Sequence, residues 1–259
     1  MSALYTIWLR DLTRFLRNRS RIFTSLAQPL LYLAIFGSGL SGLLSGTAPL
    51  GGVSFTAFVY PGVIGLTIMF TALFTAISVV YDREFGFLKE VLVSPAPRLA
   101  VALGKVASGT TIALLQGVLT LPLAWLLGLP LTLGQVAVLL GIMAVLAAVC
   151  TALGLLVSTR LRGIEGYNVI INFLMMPLFL LSGALFPLAG LPVWMNILVR
   201  VNPMAYATDA LRQVALAGAA EPGFLAASRL HPVGVDVLVL VGFFVVFIVP
   251  AVRAFSKPE

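Results

Sequence analysis

The stretch Tyr81-Asp82-Arg83-Glu84-Phe85-Gly86-Phe87-Leu88-Lys89-Glu90-Val91-Leu92-Val93-Ser94-Pro95-Ala96-Pro97-Arg98, running on to Lys105, is an island of charge in an apolar chain. It holds seven of the chain's charged residues, whereas residues 22–81 and 106–159 hold none. An apolar helix needs about 20 residues to cross the hydrocarbon core of a bilayer. The two uncharged stretches, 60 and 54 residues long, therefore each have room for two spans and a turn. The island then joins two membrane hairpins on one side of the membrane.

The rest of the composition agrees. The 259 residues are 60% hydrophobic and 10% charged, with a mean hydropathy of +1.09. A soluble chain of this length cannot bury so much apolar surface, so lipid is its solvent. The pattern predicts an all-α membrane protein forming one domain over 1–259. Six transmembrane helices are expected, near 22–44, 57–80, 106–127, 133–157, 167–187 and 233–252. Turns rich in Gly, Ser and Pro separate the first two pairs, at Ser45 to Gly52 and at Gly128 to Pro130. The first apolar run is too long, and follows too much basic helix, to read as a cleavable signal.

Basic residues orient the spans. Arg10, Arg14, Arg17, Arg19 and Arg21 precede the first span, and Arg83, Lys89, Arg98 and Lys105 belong to the island. Arg160 and Arg162 follow the fourth span, and Arg253 and Lys257 follow the sixth. Thirteen of 16 basic residues thus fall on one side, which is expected to be cytoplasmic and to hold both termini. Only Arg200, Arg212 and Arg229, within 188–232, fall on the other. Topology accounts for the net charge of +7 without nucleic acid as a partner.

Several segments do more than span. Residues 1–21 form an interface helix whose amphipathic part, 3–21, puts Leu4, Trp8, Leu12 and Phe15 on one face and Arg10, Arg14, Arg17 and Arg21 on another. Such a helix lies at the membrane surface, with its arginines toward anionic headgroups and its Trp at the boundary. It serves either as a plain anchor or as a contact for a cytoplasmic partner. Within 81–105, Asp82 to Val93 is helix-compatible, with Phe85, Leu88 and Leu92 against Glu84, Lys89 and Glu90. Ser94-Pro95-Ala96-Pro97 stops that helix. A rigid protrusion results where a far shorter connection would have served.

Within the bilayer, the second span carries Thr67, Thr71, Thr75 and Ser78 along one face, and the fifth carries Asn168, Asn172, Met175, Met176 and Phe179. The hydroxyls serve either packing or a polar path. Two asparagines one turn apart point to a helix interface or a water-accessible lining. Residues 188–232 are too polar to span and too apolar for a free loop, and read as short re-entrant or interfacial helices outside the membrane's inner face. Asn202-Pro203 signals a turn, and Ala205 to Ala217 a short helix with Asp209 and Arg212 spaced to pair. This segment is either a lid or a structural cap.

Some chemistry is excluded. His231 is the one histidine and Cys150, in mid-span, the one cysteine, so no His/Cys metal site can form within the chain. Gly104-Lys105 has Leu99 and Val106 where a phosphate-binding loop needs Gly and Ser/Thr. The predicted spans read as free of buried Asp, Glu, Lys and His, which disfavours ion-coupled transport. Energy for any pumping must then come from another subunit.

The run Tyr81-Asp82-Arg83-Glu84-x-Gly86-x-Leu88-Lys89-x-x-Leu92-x-Ser94-Pro95-x-x-Arg98, with Gly104-Lys105 after it, resembles the first cytoplasmic loop of ABC-2 type permeases. Phe186-Pro187 through Leu191-Pro192-x-Trp194-Met195 to Asn202-Pro203-x-x-Tyr206-x-x-Asp209-x-x-Arg212 is a second match. With the six-span pattern, the resemblance covers the whole chain and is closest to bacterial drug-resistance and nodulation-factor exporters.

It implies a permease subunit, not an enzyme, in the bacterial inner membrane. It implies a separate ATPase subunit that binds ATP and Mg, with no cofactor in this chain, and a second permease copy or a paralogue as partner, surrounded by membrane lipid. Asp82, Arg83, Glu84, Gly86, Leu88, Lys89, Ser94, Pro95 and Arg98 would form the coupling helix and loop seated in the ATPase, and Trp8, Arg10, Arg14 and Arg17 the interface helix. Thr67, Thr71, Asn168, Asn172, Met176 and Phe179 would line a cargo path suited to amphipathic or lipid-linked compounds. Asn202, Pro203, Tyr206, Asp209 and Arg212 would form the outer-segment motif. A membrane anchor that assembles an ATPase complex without a path of its own is the other reading.

Overall fold

The computed structural model describes residues 2–18, 27, 30–35, 39, 52–84, 97–161, 163–188 and 191–256. Among these the chain is helical, with no strand. The first helix, α1, is Ser2–Arg17, followed by α2 (Phe55–Glu84), α3 (Arg98–Val118), α4 (Leu123–Leu126), α5 (Leu133–Arg160) and α6 (Ile164–Leu180). Then come α7 (Val193–Val201), α8 (Pro203–Ala215), α9 (Pro222–Ser228) and α10 (Val233–Ser256).

Among the described residues, four stretches are long and apolar enough to cross a membrane: Phe55–Glu84, Leu99–Leu126, Leu133–Arg160 and Pro222–Ala254. They overlap the second, third, fourth and sixth spans expected from sequence, the third and sixth starting earlier than expected. The first expected span lies outside the described residues except at 27, 30–35 and 39, all helical. The fifth differs. α6 has 17 residues, about 25 Å at the usual rise per residue, which falls short of a ~30 Å hydrocarbon core. Pro177 lies in its last turn, and the chain then bends through 181–186 instead of continuing to 187. Gly183 takes a left-handed φ of 72° in that bend, and a Cβ there would press into the Leu188 side chain. The apolar run looked continuous because the bend is itself apolar.

α2 is the central post. Most of its length is buried, from Phe55 to Val80, and it packs against α3, α5, α6 and α8. A helix apolar all round belongs in such a place. Its Tyr60 hydroxyl donates to the Thr120 carbonyl (3.1 Å), and Tyr167 of α6 donates to the Leu73 carbonyl (2.6 Å), so the buried phenols are satisfied. α10 is peripheral: it packs on α5 and α8 and leaves Leu238, Val241, Val245 and Val246 exposed, as a lipid-facing helix must. A capping box starts α5, with Gln135 N–H donating to the Thr132 hydroxyl and Thr132 N–H to Gln135 Oε1.

Candidate coupling site

Where α2 ends and α3 begins, four charged side chains meet. Lys105 Nζ lies 2.7 Å from Asp82 Oδ2 and 3.0 Å from Asp11 Oδ2. Arg10 Nη2 lies 2.9 Å from Asp11 Oδ1 and 3.3 Å from Asp82 Oδ2. Two cations thus offset two carboxylates. The Lys105 side chain is only 5% exposed and also donates to the Ser78 hydroxyl. A buried ammonium survives only when paired and hydrogen bonded in this way. Burial alone would lower the Arg10 pKa, but Asp11 and Asp82 more than offset it and hold it raised.

The cluster corrects two sequence expectations. Lys105 is not part of a solvent loop, because α3 already starts at Arg98 after Pro97 and puts Lys105 about two turns into the helix. Nor is Arg10 free for headgroups. The face of α1 turned to the protein is Ile7, Asp11 and Phe15, while Leu4 and Leu9 are exposed. Trp8 Nε1 donates to the Thr111 hydroxyl of α3 (3.1 Å), so the indole docks on a helix. Arg14 and Arg17 are exposed. The close fit depends on Gly104, where a Cβ would sit 3.1 Å from the Leu4 carbonyl oxygen and 3.3 Å from the Ile7 Cβ. Gly104-Lys105 thus joins α3 to α1 by contact and by charge.

Next to the cluster, Arg83 Nη1 donates to the Leu161 carbonyl (3.3 Å) and Glu84 Oε2 accepts from Ile164 N–H (3.4 Å). Glu84 so serves one of the unpaired amides in the first turn of α6, where a carboxylate is also favoured by the helix dipole. Asp82, Arg83 and Glu84 therefore bind the end of α2 to α1, α3 and the α5–α6 joint. Gly86, Leu88, Lys89, Ser94 and Pro95 lie outside the described residues, and Arg98 is placed as the first residue of α3.

The expected path residues divide. Asn172 and Met176 are exposed on α6 and Asn168 is half-buried. Asn172 Nδ2 donates to the Asn168 carbonyl (2.8 Å), so its amide is served within its own helix. With Phe173, Pro177, Leu180, Leu181, Phe186 and Met195, Asn172 and Met176 line a groove of about 590 Å³. Phe179 is buried on the other side, against Tyr32 with ring centres 5.9 Å apart. Thr67 is fully buried and donates to the Val63 carbonyl (2.8 Å). Thr71 is buried with no hydrogen-bond partner for its hydroxyl. These three do not line the groove.

The outer-segment residues act as fasteners. Asn202 caps α8, accepting from Met204 N–H (2.9 Å), and its Nδ2 donates to the Leu178 carbonyl (2.8 Å). Pro203 takes the first helical position. The Tyr206 hydroxyl donates to the Arg200 carbonyl (2.9 Å). Asp209 and Arg212 do not pair with each other. Asp209 accepts from Leu230 N–H (2.8 Å) and Gln213 Nε2 (2.9 Å), while Arg212, fully buried, donates to the Gly183 and Ala184 carbonyls and lies 4.0 Å above the Phe58 ring. Burial holds the Asp209 carboxyl above the usual carboxylate range.

Three partners escaped the sequence reading: Asp11, Gln213 and Asp236. Asp236 is fully buried in α10 and corrects the expectation that the spans hold no buried acid. Its position within 233–252 was the available signal. Among the described residues no three His, Cys, Asp or Glu side chains are arranged to hold a metal ion.

The sequence profile of the ABC-2 type transporter family matches residues 2–216. Nodulation protein J of Rhizobium leguminosarum bv. trifolii is 30% identical over 226 residues, covering 86% of this chain and 79% of that protein. The inner membrane transport permease YadH of Escherichia coli (strain K12) is 27% identical over 253 residues, 94% of this chain and 92% of its own. The probable multidrug ABC transporter permease YbhR of the same strain is 30% identical over 161 residues, 61% of this chain but 44% of that protein.

Proposed function

We propose that this chain, which belongs to the ABC-2 type transporter family, exports an amphipathic or lipid-linked compound, driven by an ATPase subunit that docks on residues 85–97. As a permease it carries no ATP chemistry of its own, and a partnering ABC ATPase is what the family implies. The observation that carries the coupling reading is the Lys105-centred cluster. Both helices that flank residues 85–97, α2 and α3, are held through it to α1. A displacement of the intervening segment is then passed to three helices at once, as transmission through a packed two-state element requires.

Two copies of the chain, or one copy and a paralogue, would face each other across the groove on α6. That groove is apolar with one amide at Asn172, a lining that accepts amphipathic cargo better than ions. The proposed placement is a bacterial inner membrane with both termini and residues 85–97 in the cytoplasm and 188–232 outside, in keeping with the skew of basic residues.

The test is to reconstitute the chain with its ATPase subunit in vesicles and measure ATP-dependent movement of several amphipathic compounds. Export with cargo-stimulated hydrolysis supports the reading. A stable complex that hydrolyses ATP but moves none of them, with no cargo stimulation, supports an anchoring role.

A further inference from the structure

Beyond the coupling site, the structure encloses a second polar cluster, where α8, residues 229–232 and the start of α10 meet. Asp209 Oδ2 accepts from Leu230 N–H (2.8 Å), His231 N–H (3.5 Å) and Gln213 Nε2 (2.9 Å). The same Gln213 nitrogen donates to the His231 carbonyl (2.7 Å) and lies 3.4 Å from Asp236 Oδ2. One side-chain amide has two hydrogens, so it cannot serve three acceptors fully. Asp236 is 0% exposed, and its Oδ1 has no hydrogen-bond partner. It faces His231 Nδ1 at 3.5 Å, which also lacks one. The His231 side chain is 44% exposed and stacks on Tyr206, ring centres 5.8 Å apart and 14° from parallel. It is thus the member of the cluster that reaches solvent.

Among the described residues no Lys or Arg forms an ion pair with either acid. Arg212, on α8 with Asp209, favours that acid's anion through space, but its guanidinium is turned to the Gly183 and Ala184 carbonyls. Arg200 at the end of α7 donates to Asn196 and is exposed, as are Glu221 and Arg229. The helices packed on α8 and α10 bring no charge here. Those of α2 stand at Asp82 to Glu84, that of α5 at Arg160, and those of α3 at Arg98 and Lys105, all at the opposite end. Glu165 lies in the first turn of α6, whose start meets Glu84, and Arg253 in the last turn of α10, both at that same far end; the other titratable groups of these helices are tyrosines and Cys150. Two carboxylates enclosed together with no cation paired to either repel, and a shared proton removes the repulsion and supplies the missing donor.

We propose that Asp209 and Asp236 form a proton-binding site, one proton held between the two carboxyl groups and exchanged with solvent through His231, and that this proton fastens α8 to α10. As the Nδ1–H bond of His231 breaks and an O–H bond forms at Asp236 Oδ1, the imidazole takes a replacement proton from water at Nε2, and release runs the same transfers in reverse. As pH rises through the titration of the pair, the proton leaves, two anions face each other and the joint loosens. The site is independent of cargo and ATPase, and its failure would leave the transport reading untouched.

Infrared spectroscopy of the purified full-length chain tests it. A protonated carboxyl band is expected at neutral pH, persisting above the usual carboxylate range and absent from Asp236→Asn. On transfer to deuterium oxide that band shifts quickly in the native chain and severalfold more slowly in His231→Gln. Hydrogen exchange in 203–236, corrected for intrinsic rates, should rise severalfold across the band's titration and stay flat in Asp236→Asn. Should that variant not fold, the band and the exchange titration of the native chain still decide. No protonated band at neutral pH, a band that survives in Asp236→Asn, or equal shift rates with and without His231 would overturn the proposal.

Discussion

Lys105 Nζ and Asp82 Oδ2 stand 2.7 Å apart, joining the first turns of α3 to the end of α2 across the segment proposed to meet the ATPase. The pair is embedded in a four-charge cluster that also takes in α1, so each member's loss strands the others. Lys105→Ala leaves Asp11 and Asp82 buried with Arg10 alone, and breaking a buried ion pair costs about 3–5 kcal/mol. Lys105→Met with Asp11→Asn removes one charge of each sign and should recover at least half of that loss. Thermal unfolding of the purified variants measures both. Equal stability of the Lys105→Ala and native chains would show the cluster to be solvated and would remove it as a transmission element.

The six-span topology makes a separate prediction. Reporters fused after Ser45 and after Gly128 should read as external, and those placed within Ser94–Arg98 or at the C terminus as cytoplasmic. The basic residues that set this expectation are skewed thirteen to three. A cytoplasmic reading at Gly128 would undo the arrangement of α3 and α5 as an outward hairpin.

Charge spacing made the hairpins legible in the sequence: uncharged runs long enough for two spans became α2 and α5 within a few residues of their expected bounds, while α3 starts eight residues earlier than expected. What spacing could not show is which polar residues pair across helices. Lys105 looked like a loop cation because periodicity does not place a helix start, and Pro97 does. Asp209 and Arg212 looked like a pair at the right helical separation, but tertiary contacts with 183–184 and 230–231 outcompete it. The bend after α6 was hidden because its residues are as apolar as the helix before it. Phe179 shared a stripe on paper with Asn172 and Met176, which turn out to be exposed, since a stripe fixes a face and not what covers it.

Glu84 provides a test that separates coupling from folding. Its carboxylate accepts from Ile164 N–H at the start of α6, a contact worth about 0.5–1 kcal/mol at an exposed helix end. Glu84→Gln keeps an acceptor there and should stay within that margin in thermal stability. If the carboxylate also meets the ATPase, the same variant loses most transport-linked stimulation of ATP hydrolysis while still inserting and pairing. Normal stimulation in Glu84→Gln and in Glu84→Ala would confine this residue to capping α6.

The groove on α6 yields the last test. Asn172 places one amide beside Phe173, Met176, Leu180 and Met195, and that amide already donates to the Asn168 carbonyl. One of its two N–H hydrogens is therefore used without cargo, and its oxygen is placed to receive a donor from whatever enters. Asn172→Leu should cost no more than about 0.6–2 kcal/mol of stability, the range for polar contacts in membranes. A cargo path predicts more than this: folded protein, unchanged basal ATP hydrolysis, and altered preference among amphipathic compounds exported by the reconstituted variant. Met176→Ala enlarges the same groove and should shift preference toward bulkier compounds, whereas Phe179→Leu, on the buried side, should change stability and leave preference alone. If all three variants export the same compounds in the same proportions, the path runs elsewhere in the assembly.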